Sequence, residues 1–73
     1  MDEVMQISKS DLAGARDTDN KEFIETTFKE AAEIIKAGGC VHLMQVYSDA
    51  SKEVSDVIDN QEQLDHLKTI YLR

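Results

Sequence analysis

Cys40-Val41-His42-Leu43-Met44-Gln45-Val46-Tyr47, running on through Ser48-Asp49-Ala50-Ser51-Lys52-Glu53-Val54-Ser55-Asp56-Val57-Ile58, decides the fold. The first eight residues alone fit a strand, an ordinary element after Ala37-Gly38-Gly39 in an α/β chain. The longer window reads differently. At about 100° per residue, Leu43, Val46, Tyr47, Ala50, Val54, Val57 and Ile58 share one arc, with Met44 at its edge. His42, Gln45, Ser48, Asp49, Lys52, Glu53, Ser55 and Asp56 take the opposite arc, and only Ser51 intrudes on the apolar side. Residues 50–58 lack the period-two alternation of a half-buried strand. This periodicity predicts a helix over about 41–58.

Upstream, residues 20–37 carry the strongest pattern. Phe23, Ile24, Thr27, Phe28, Ala31, Ala32, Ile34 and Ile35 fall on one half of a helical wheel, opposite Glu22, Glu25, Lys29, Glu30, Glu33 and Lys36. Asp19 and Glu22 have the spacing of a capping box. Gly38 and Gly39 can take the backbone conformation that stops a helix. Downstream, Asp59-Asn60 interrupts the pattern, and Asn60 or Asp59 can cap a third helix over about 61–72, with Leu64, Leu67 and Tyr71 on one side. A competing series, 43, 47, 50, 54, 57, 61, 64, 68 and 71, is apolar except at Gln61 and Lys68, and would make 41–72 one coiled-coil helix. Residues 1–18 are weakly patterned and fit a short helix or strand over 2–8, then a loop through Asp17.

The expected fold is therefore all-α and a single small domain. A short Gly-Gly connection makes the helices 20–37 and 41–58 antiparallel neighbours, a helical hairpin. Each apolar face is wider than a two-helix seam needs. The C-terminal helix would complete a three-helix bundle, or a second copy would complete a dimeric four-helix bundle.

Composition narrows the function. The chain has 73 residues, 15 acidic and 8 basic, for a net charge of −7, and a single Cys. A domain of this size buries only about 60% of its unfolded surface and is marginal alone. One Cys forms no internal disulfide, which leaves a metal or self-association as added support. The acids are spread evenly along the chain, and no cluster of Lys and Arg suits a nucleic-acid backbone. No run of about 18 apolar residues exists to span a membrane. A lone Cys, with an acidic Met1-Asp2-Glu3 start unlike a signal peptide, leads to the expectation of a cytoplasmic protein.

Chemistry-bearing motifs are few. Cys40 and His42, with His66, are the only Cys and His residues, one short of the four ligands of a structural zinc site. They define a metal or redox module as one alternative function. Asp17-Thr18-Asp19-Asn20-Lys21-Glu22 fails as a calcium loop, because Lys21 stands at a ligand position and Phe28 at the twelfth. Three glycines build no phosphate-binding loop, and no nucleophile elbow occurs. Gln63-Leu64-Asp65 with Leu67 and Tyr71 resembles, over fewer than ten residues, small helical-hairpin regulators of bacterial phosphorelays. Gln61-Glu62 stands where those carry Ser-Gln, and no family is assigned. No catalytic residue, metal ligand set or cofactor is expected.

The expectation is a non-enzymatic acidic protein that binds and modulates another protein as a regulator, inhibitor or adaptor. Its partner could present a basic surface, and a homodimer is expected. Candidate interface residues are Glu25 and Glu30 on the acidic face, Met44 and Tyr47, and Leu67, Ile70, Tyr71 and Leu72 near the C-terminus. A DNA mimic that occupies the basic cleft of a nucleic-acid-binding protein is the other alternative.

Overall fold

The computed structural model describes residues 3–72; Met1 and Asp2, the latter counted in the N-terminal element expected over 2–8, lie outside them. The element order is β1 (Val4–Ser8), α1 (Lys9–Asp17), α2 (Lys21–Lys36), β2 (Cys40–Val46), β3 (Lys52–Ile58) and α3 (Gln61–Tyr71). The strands form one mixed sheet in the order β1-β2-β3. β1 runs parallel to β2, and β3 runs antiparallel to it. The protein is an α/β fold, which corrects the all-α expectation and with it both the three-helix bundle and the four-helix bundle.

The correction falls on residues 40–58. The helix expected over 41–58, and the coiled coil over 41–72, are instead a β-hairpin. Its turn carries local chemistry that a helix would forgo. Tyr47 N–H donates to the Ser51 carbonyl at 2.9 Å, and Ala50 N–H to the Tyr47 carbonyl at 3.0 Å. Ala50 adopts φ 69. The Asp49 carboxylate accepts from Ser51 N–H at 3.0 Å and from Ser51 Oγ at 2.6 Å. Asp and Ser favour turns because their side chains hydrogen-bond the nearby backbone. The valines on either side suit strands, where a β-branched side chain packs well on the pleated surface.

The apparent helical stripe joins residues that the sheet divides between its two faces and the turn. Leu43 points into the core, Tyr47 and Ala50 belong to the turn, and Val54 and Val57 point away from the helices. A register shift between Leu43 and Met44 explains the missing alternation. Leu43 pairs with Asp56 and Met44 with Val54, so Ser55 is an extra residue in β3. That bulge resets the phase of the strand.

The N-terminal region also differs from expectation. Residues 4–8 are a strand, one of the two options, but residues 9–17 are helix α1 rather than loop. Its pattern is weak because it buries only Leu12 and Ala15. α1 ends with Asn20 N–H on the Ala15 carbonyl and Asp19 N–H on the Arg16 carbonyl, with Asp19 at φ 57. The expected Asp19 cap is therefore displaced by one residue. Asn20 is the N-cap of α2, and its side chain accepts from Phe23 N–H at 3.3 Å.

Helices α2 and α3 keep close to their expected bounds because their signals are local. α2 stops at Ala37, with Gly38 at φ 93; Gly38 N–H reaches the Ile35 carbonyl and Gly39 N–H the Ile34 carbonyl. Asn60 caps α3 by accepting from Gln63 N–H at 2.8 Å. The core joins Ile7, Val41, Leu43 and Ile58 of the sheet to Leu12, Ala15, Ile24, Phe28, Ala31 and Leu64 of the helices. The helices thus lie on one side of the sheet, and the shortest dimension of the molecule, 16 Å, is that of two layers.

Candidate functional site

Two surfaces are left open by this architecture, and β3 takes part in both. The first is a groove between β3 and α3. α1 and α2 pack along β1 and β2, α3 packs against α2 and α1, and no helix packs extensively along β3. Only Ile58, the last residue of β3, is buried. The resulting groove has a volume of about 710 Å³. Val57, Leu67 and Ile70 supply its apolar surface over the buried Leu43 and Ile58, and Asp56, Glu62 and His66 its polar one. α3 delivers Glu62, His66 and Ile70 at four-residue spacing, which places them along one side of that helix.

The second surface is the face of the sheet turned away from the helices. Register and alternation send Val4, Gln6 and Ser8 of β1 to it, with Cys40, His42, Met44 and Val46 of β2 and Lys52, Val54 and Val57 of β3. Val4, Val54 and Val57 are 51%, 44% and 53% exposed. Glu53 and Asp56 alternate to the opposite side, where they pair with Gln45 and Leu43.

The expected interface residues are dispersed among these and other places. Leu67 and Ile70 come together in the groove. Met44 lies on the helix-free face. Tyr47 sits at the hairpin, half exposed, and donates its hydroxyl proton to Glu53 at 2.6 Å. That bond, reinforced by the negative charge of Glu53, raises the Tyr47 phenol above its usual value of 10.0. At the same hairpin, the Ser51 donors hold the Asp49 carboxyl below its usual 3.8. Tyr71 and Leu72 are partly buried against the core, with the Arg16 guanidinium 5.8 Å from the centre of the Tyr71 ring. Glu25 lines a cleft between α2 and α3 with Lys29, Asp65 and Lys68, and Glu30 is exposed on α2.

Cys40 and His42 share the helix-free face of β2, whereas His66 lines the groove on the other side of the sheet. No group of three His, Cys, Asp or Glu side chains able to hold a metal occurs among the described residues. Among the same residues, no polar or charged side chain is buried. No helix there is long and apolar enough to cross a membrane.

Val4, Val54 and Val57 are absent from the expected set because a helical reading of 41–58 puts Val54 and Val57 inside a bundle. The usable signal was the density of β-branched residues on either side of Ser48-Asp49-Ala50-Ser51. Compared with protein-family models, curated proteins and solved structures, the chain matches none of the three.

Proposed function

We propose that the chain is a non-enzymatic interaction protein that receives a basic amphipathic helix of a partner in the β3–α3 groove. The observation that carries this reading is the uncovered inner side of β3. The helix layer stops at α3, and a further helix laid beside it would cover Leu67 and Ile70. Recognition of this kind rests on apolar anchors spaced three and four residues apart. Asp56 and Glu62 at the groove favour Lys or Arg around those anchors, in a molecule of net charge −7. The bulge at Ser55 and the charge on Lys52 discourage simple extension of the sheet from β3, which favours side-chain docking over strand addition. The single Cys, free in the structure, suits a reducing compartment such as the cytoplasm. Regulation, inhibition or bridging of the partner would follow from occupancy of its helix.

Two synthetic peptides test the reading, one an amphipathic helix of Leu and Lys, the other the same pattern in Leu and Glu. The Lys peptide is expected to shift amide signals at Asp56, Ile58, His66 and Ile70, with affinity that falls as salt rises. Ile70→Asp is expected to abolish those shifts. Equal binding of both peptides, or shifts confined to other residues, would overturn the assignment.

A further inference from the structure

We propose that the helix-free face of the sheet is a self-association surface, occupied by the same face of a second copy of this chain. Apart from Val57, which also borders the groove, its side chains lie on the other side of the sheet, and it stands independently of the partner-helix reading.

Charge identifies the occupant. The chain carries 15 acids against 8 bases, so most approaches of one copy to another bring carboxylates together. The strand residues that reach this face include no Asp or Glu; Glu53 and Asp56 both turn to the helix side. The apolar contribution comes from every strand, in Val4, Met44, Val46, Val54 and Val57. Three of these five are among the most exposed large apolar side chains described. The one Lys, Lys52, lies at the end of β3 beside the hairpin turn, on the rim. A basic partner would find no countercharge here and would be drawn to the acidic surfaces instead. A second copy offers a partly apolar face whose strand residues carry no carboxylate, with matching strand spacing.

Size and geometry agree. Strands about 4.8 Å apart, rising about 3.3 Å per residue, give a face of roughly 15 by 20 Å. Over two copies this is roughly 600 Å², below the about 1,200 Å² of stable specific interfaces, so the pair is weak, reversible and concentration-dependent. Two such sheets pack about 10 Å apart with their strands crossing at about 30°. A two-fold axis makes the contact self-complementary. The result is a four-layer arrangement with two sheets inside and the helices outside. Both β3–α3 grooves stay open. The added burial supplements a core that is small in a chain of 73 residues.

Sedimentation equilibrium over a broad range of protein concentration tests the proposal. The wild-type mass is expected to rise from 8.2 kDa towards double that value. Added salt should favour the dimer, because it screens repulsion between acidic copies and leaves apolar contact intact. Val54→Lys and Val57→Lys are expected to remain at the chain mass, with circular dichroism unchanged. Ile70→Lys, in the groove, should dimerise like wild type. A wild-type chain that stays at 8.2 kDa throughout would overturn the proposal, as would a dimer that survives both valine substitutions or is lost in Ile70→Lys. Should the valine variants fail to fold, concentration-dependent amide shifts in the wild type decide. Shifts at Val4, Met44, Val54 and Val57 support the face, and shifts confined to the helices reject it.

Discussion

Gly39 cannot carry a side chain without moving its neighbours. A Cβ there would collide with the carbonyl oxygen of Glu3 and with the Ile34 side chain. The same Glu3 carbonyl accepts from Cys40 N–H at 2.9 Å, where the parallel pairing of β1 with β2 begins. Gly39→Ala is therefore expected to cost about 1–3 kcal/mol, the usual range for overpacking, and denaturant unfolding measures it. Gly38 has open space around it but φ 93; Gly38→Ala is a strain effect and should cost about 1–2 kcal/mol. Ala50 is the converse case. It occupies a positive-φ turn position, φ 69, with a side chain that gains nothing there. Ala50→Gly relieves the strain but orders a more flexible residue, so the expected gain is up to about 1 kcal/mol. An unchanged or lower unfolding midpoint would contradict that strain argument.

At the scale of elements, the hairpin and the central strand have distinct signatures. β2 is hydrogen-bonded on both sides, with Val41 and Leu43 buried, whereas β1 and β3 each have one free edge. Amide exchange should be slowest in Val41–Gln45 and faster along β3, a contrast that one helix over 41–58 would not produce. The hairpin also has a sign in pH. The Asp49 carboxyl is held below its usual 3.8 by Ser51. Its contribution to the turn is complete above that value and is lost as pH falls through the lower folded-state value. An NMR titration should show Ser51 signals following Asp49 at acid pH, and Asp49→Ala should remove this response. Tyr47 behaves oppositely. Its raised phenol keeps the bond to Glu53 up to the usual value of 10.0, and the bond is lost as pH rises through the higher folded-state value. Glu53→Gln should bring the Tyr47 titration back towards 10.0.

In the whole molecule, one core connects elements distant in the chain. Leu12 of α1 is fully buried in a core that also holds residues from both ends of the chain, Ile7 and Leu64 among them. Leu12→Ala should cost about 2–5 kcal/mol, a large part of the roughly 5–15 kcal/mol that holds a typical domain together. Its loss should lower one unfolding transition seen alike by circular dichroism and by the β3 and α3 amides, and separate transitions would show independent parts. The chain by itself determined α2 to within a residue of its cap and offered α3 beside one long helix over 41–72, since helical hydrogen bonds and caps such as Gly38 and Asn60 lie within a few residues of one another. It also determined the acidic balance and placed Leu67 and Ile70 among the candidate contacts. Tertiary structure alone decided that residues 40–58 are strands, because β2 takes its partners from β1, thirty-six residues upstream, and from β3 across the turn. A turn and a bulge broke the two-residue alternation into a pattern that mimics a helix. Only with that pairing made do Val4, Val54 and Val57 share a face and β3 border a groove, since which residues become neighbours depends on contacts that no local periodicity contains.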